Sequence, residues 1–127
     1  MDGVPMSAGV EPDAHAAAVR RFKDTAYVPL AASLTEVRAN IDRLDREIVR
    51  LLAERGRYVK DAARFKRDRF QVAAPARQAE VFARVRALAE EAGGEPDVIE
   101  AAYRVLVAGF VAREQRWFDE MQLVEGR

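Results

Sequence analysis

The chain has 127 residues and a mass of 14.2 kDa, one domain's worth, and its 50% hydrophobic and 33% charged content argues against disorder throughout. Lys+Arg and Asp+Glu both number 21, so the formal net charge is zero and no whole-molecule field draws the protein to nucleic acid or a membrane surface; any positive patch is local. With no cysteine and a single histidine, His15, there is no disulfide framework, no thiol chemistry and no zinc-ligand pattern.

Residues 1–33 mix Ala, Gly, Pro and charge without a sustained period and are expected to form a flexible N-terminal arm, with 14–23 able to form a short helix. They lack the uninterrupted apolar core of a secretory signal. No apolar run approaches the roughly 20 residues needed to span a bilayer, so a cytoplasmic protein is expected. Ser33 followed by Glu36 is a capping box that predicts a helix start. From there the apolar positions fall three and four apart (Leu34, Val37, Ile41, Leu44, Ile48, Leu51), and the register continues through Arg55, Val59, Ala62 and Lys66, predicting one helix to about residue 70. A turn is predicted at 71–74, after which Pro75 opens a second helix whose apolar positions Val81, Phe82, Val85 and Leu88 repeat at helical spacing until Gly93 and Gly94 end it. Pro96 opens a third, with Asp97 and Glu100 at its positive end, running through Ile99, Tyr103, Leu106, Phe110, Trp117 and Phe118 to about Met121. The expected fold is all-α: three helices over 34–121, with a short tail at 122–127.

A helix of some 35 residues is about 50 Å long, more than two shorter helices can cover. A two-fold homodimer, its long helices packed together and the others wrapped around them, is the simplest closed solution.

Two cations on an apolar stripe need a partner, because an unpaired buried charge costs several kcal/mol. Arg55 and Lys66, eleven residues apart, share a face about 16 Å apart on a continuous helix, and their side chains can close on a small anion. Arg38 lies on nearly the same side but about 25 Å from Arg55, so it is expected to serve the pocket of a partner subunit. On the third helix Val107, Val111, Glu114 and Phe118 share a face, which puts a carboxyl on an apolar wall. Arg77 adds a cation near the start of the second helix, and Gln78 a neutral polar group. Each cation taken singly is better explained as snorkelling to solvent over its own stem. Glu114 is open to two readings, a protonated donor or a structural salt bridge to a neighbouring arginine. His15 has no assigned role, and Tyr58, Tyr103 and Trp117 are read as packing.

The segments LTEVRANIDRLDREIVRLLAERGRYVKDAARFK, APARQAEVFARV and VLVAGFVAREQRWF resemble the all-helical chorismate mutases, most nearly their isochorismate pyruvate lyase branch. The resemblance rests on Arg38, Ile41, Asp42 and Asp45, on Arg55, and on the Phe65-Lys66 pair. It implies an intertwined homodimer with two identical pockets for a dianionic ring bearing an enolpyruvyl ether. Arg55, Arg77 and the partner subunit's Arg38 would bind carboxylates, Lys66 would contact the ether oxygen, and Glu114 would be the opposite donor, with Gln78, Val59 and Val111 lining the pocket. No metal or cofactor is implied. Ala74 and Gln78 stand where chorismate-specific members often carry acids, and Glu114 stands where the lyase branch has glutamine. The implied activity is chorismate mutase, with isochorismate pyruvate lyase as the alternative enzyme and a non-catalytic helical dimer binding a partner enzyme as the alternative of another class.

Overall fold

The computed structural model describes residues 9–124, so residues 1–8 of the expected arm and 125–127 of the expected tail lie outside the described residues. It is all-helical. The helices are α1 (Leu34–Ala62), α2 (Arg69–Ala73), α3 (Pro75–Glu91) and α4 (Pro96–Asp119), with a 3₁₀ turn at Ala63–Phe65 after α1. The chain divides into two compact units, Met1–Leu51 and Leu52–Arg127.

In the first unit the capping signal works nearly as expected: the Ser33 hydroxyl accepts from the Glu36 amide at 3.2 Å, and the Glu36 carboxylate reaches back to the Ala32 amide at 2.9 Å. Residues 14–23, which could have formed a short helix, form turns and bends instead. Local side-chain acceptors compete there, since Asp13 and Asp24 each take a backbone N–H two residues on. Thr35 ties the start of α1 to this segment, its N–H and hydroxyl both donating to the Ala14 carbonyl at 2.9 and 3.0 Å. His15, which had no assigned partner, has Nδ1 3.3 Å from the same hydroxyl. Val37, Ile41, Leu44, Ile48 and Leu51 remain 39–52% exposed, so the stripe is uncovered among the described residues of this unit.

The second unit departs from the predicted single helix to residue 70. Helix α1 ends at Ala62, and Lys66 has extended backbone, φ −103° and ψ 143°. The physical reason is a second start signal inside the apolar pattern. Asp68 accepts from the Gln71 amide at 2.9 Å while the Gln71 side-chain oxygen accepts from the Arg67 amide at 2.7 Å, and this reciprocal cap begins the five-residue α2 where a turn was expected. Ala74 then joins α2 to α3 in the left-handed conformation, φ 46° and ψ 61°. Pro75 disfavours right-handed helix at the residue before it, and its own φ suits the first position of α3. Gly93 ends α3 as predicted, with φ +74° and the Gly94 amide donating to the Ala89 carbonyl at 2.8 Å.

Val81, Val85 and Val107 form the core between α3 and α4, with Phe82, Tyr103 and Val111 packed against them. The inward face of α3 runs 81, 85, 89: Ala89 is buried and Leu88, part of the apolar spacing, is 52% exposed. The small side chain takes the close-packed side. Gly56 permits another close approach, for a Cβ there would lie 2.6 Å from Phe110 Cε1. No helix among the described residues is long and apolar enough to cross a membrane.

Arg86 bridges α3 to Asp97 and Glu100 of α4, each at 2.9 Å, and Arg104 binds Glu100 at 2.6 Å. Hydrogen bonds from Arg104 and then Arg86 hold the Glu100 carboxyl below the usual carboxylate range. Depressed in the folded state, this group contributes stability above its unfolded-state pKa and loses it as pH falls through the folded one. The stability difference between the wild type and Glu100→Gln should therefore shrink on going from pH 7 to about pH 3, below ordinary glutamate values. Urea midpoints at the two pH values measure it; a difference that stays constant would contradict the assignment.

Candidate active site

Within the second unit the end of α1, the Lys66 segment, α2, the first turns of α3 and the middle of α4 enclose a cavity of about 300 Å³. That is at the small end of the roughly 300–1,000 Å³ typical of ligand pockets and suits a one-ring molecule. Its wall is largely apolar, with Val59, Val72, Val81, Val107, Phe110 and Val111, and its polar groups are Arg55, Lys66, Arg77, Gln78 and Glu114. Every site residue singled out in the sequence lines it except Arg38, which is exposed on the first unit.

Lys66 reaches the cavity by a different route from the one predicted. No three-turn helical register joins it to Arg55; the break after Ala62 lets extended backbone present it just before the capped α2. Its Nζ meets Glu114 Oε2 at 3.0 Å, with the two side chains 22% and 5% exposed. Glu114 is thus a buried carboxyl with a partner, and that partner is Lys66, not an arginine. Arg55 is half-buried, its guanidinium carbon 5.6 Å from the centre of the Tyr103 ring, and it makes no ion pair among the described residues. Its charge remains available to a ligand. Arg77 is 58% exposed and bound to Glu80 at 2.6 Å, a surface pair that exchanges cheaply for a ligand carboxylate. Gln78 donates its Nε2 to the Ala73 carbonyl at 2.6 Å, closing the end of α2 beneath the cavity.

Three cations and one carboxylate thus face a small, mostly apolar space, and the guest this favours is an anion with an apolar body. The lining positions missed from sequence include Val72 and Ala73, assigned to a turn, and Tyr58, read as packing. The Asp68–Gln71 spacing is the signal that would have placed the first two.

Removing the Lys66 ammonium alone strands the Glu114 carboxylate. Lys66→Met is expected to lower unfolding free energy by about 2 kcal/mol, and Lys66→Met/Glu114→Gln to recover at least half of that. Denaturant unfolding of the cycle measures it, and additive losses would contradict the pairing.

The family model for chorismate mutase type II matches residues 37–115. Over 85 residues the chain is 32% identical to an isochorismate pyruvate lyase of Pseudomonas aeruginosa, covering 67% of this chain and 84% of the relative. Over 90 residues it is 28% identical to a chorismate mutase of Methanocaldococcus jannaschii, covering 70% and 91% respectively.

Proposed function

The chain belongs to the chorismate mutase type II family, and from that premise we propose that it is a chorismate mutase, rearranging chorismate to prephenate for aromatic amino-acid synthesis in the cytoplasm. The observation that carries the proposal is the Lys66 ammonium, held 3.0 Å from Glu114 on an apolar wall in a cavity that Arg55 and Arg77 also line.

The rearrangement is intramolecular: one C–O bond of the enolpyruvyl ether breaks while one C–C bond forms, and the electrons shift around a six-atom ring. No nucleophile or proton donor is consumed, so the work left to the protein is clamping and charge stabilisation. Arg55 and Arg77 take the two carboxylates and hold the reactive, folded conformer. The Lys66 ammonium donates to the ether oxygen, where negative charge grows as the C–O bond stretches, so its contribution is largest in the transition state. Glu114 faces the same atom. Its carboxylate, as the ion-pair partner of Lys66, holds the ammonium in place.

The exposed stripe from Val37 to Leu51 supports a two-fold homodimer. In that dimer Arg38 of the partner subunit completes the carboxylate clamp. A specific observation favours a second reading, isochorismate pyruvate lyase: Ala74 and Gln78 offer no acid to a ring hydroxyl, and the Pseudomonas relative carries that name.

Incubation of the pure protein with chorismate and, in parallel, isochorismate tests both. Loss of chorismate absorbance is expected, salicylate fluorescence from isochorismate would favour the lyase, and turnover of neither would leave only a non-catalytic helical dimer.

A further inference from the structure

Lys66 stands outside the helices on extended backbone, yet an ammonium that acts on one oxygen atom has to be held to a fraction of an ångström. Glu114 fixes the side-chain end. The following backbone is fixed by the next residues on the same edge of α4. Gln115 Nε2 donates to the Arg69 carbonyl at 2.9 Å, and one turn later the Asp119 carboxylate takes the Arg69 guanidinium with both oxygens, at 2.7 and 2.9 Å. Arg69 is the first residue of α2, three positions after Lys66.

The carboxamide orientation is settled by its partner, because the flipped form would set two acceptors against each other. Oε1 of Gln115 is consequently buried with no partner among the described residues. A side chain serving stability alone is poorly explained when half of its hydrogen-bonding capacity is stranded. Donation to Arg69 does explain it. The same stretch of chain presents Val72, Ala73 and Ala74 to the cavity, so its seat on α4 sets both the wall and the approach of Lys66.

We propose that Gln115 is a positioning residue for Lys66: its side-chain N–H, backed by Asp119, latches the start of α2 to α4 and so sets where the ammonium meets the ether oxygen of the substrate. The catalytic half of this statement rests on the function proposed above; the latch itself does not.

Gln115→Met separates positioning from stability, since it keeps the length of the side chain while removing the donor and the stranded acceptor together. The melting temperature is expected to stay at or above that of the wild type. Limited trypsin cleavage after Arg67 and Arg69 is expected to accelerate about tenfold, the open segment being the cleavable form. With whichever substrate the wild type turns over, kcat should fall about ten- to hundredfold and KM change less than about twofold, because Lys66 acts chiefly in the transition state. Gln115→Glu, which turns an oxygen toward the Arg69 carbonyl, should move cleavage and kcat in the same direction. Wild-type cleavage and kcat in Gln115→Met would overturn the proposal, as would a kcat loss that merely follows a lower melting temperature with cleavage spread evenly along the chain. If the wild type turns over neither substrate, the functional reading fails, and the cleavage sites still decide the latch.

Discussion

The ion pair between Lys66 and Glu114 is the constraint around which the second unit is arranged. A carboxyl 5% exposed among valines is tolerable only with a partner, and no basic residue on its own helix supplies one. The partner arrives from 48 positions earlier in the chain, so α1 has to stop short and let the backbone turn extended at Lys66. The Asp68 cap, the five-residue α2 and left-handed Ala74 then return the chain from that position to the start of α3.

This arrangement also accounts for the uneven distribution of charge around the cavity. Lys66 and Glu114 neutralise each other at the buried end, Arg77 is occupied by Glu80 at the exposed edge, and Arg55 sits over an aromatic ring with no carboxylate partner among the described residues. An entering dianion therefore meets one uncommitted guanidinium, one that a weak surface pair releases, and an ammonium already aimed. Little reorganisation is required of the protein, which is what a reaction driven by clamping and fixed charge calls for. The ion pairs of Arg86 with Asp97 and Glu100 fasten α3 to α4 on another side, where they add no charge to the cavity.

Much of this was legible in the amino-acid sequence because it rests on local rules. Ser33 and Glu36, Pro75, Gly93 and Pro96 mark helix ends by chemistry that acts within four residues, and all four appear where expected. The apolar wall carrying Glu114 was visible as helical spacing. The interruption after Ala62 was not, because Asp68 and Gln71 sit inside an apolar pattern that continues in helical register, and periodicity alone does not weigh a cap against it. Leu88 is left outside for a related reason: spacing admits position 88 or 89, and the closeness of the packed helices selects alanine. The pairing of Glu114 with Lys66 depends on tertiary structure and had no local signature.

The most direct measurement of the central claim is the structure of the protein bound to a rigid bicyclic dicarboxylate ether shaped like the transition state. The ether oxygen is expected within hydrogen-bond distance of Lys66 Nζ, beside Glu114, with the carboxylates on Arg55 and Arg77. A ligand seated elsewhere, or one in this cavity with Lys66 turned away from the ether, would contradict it.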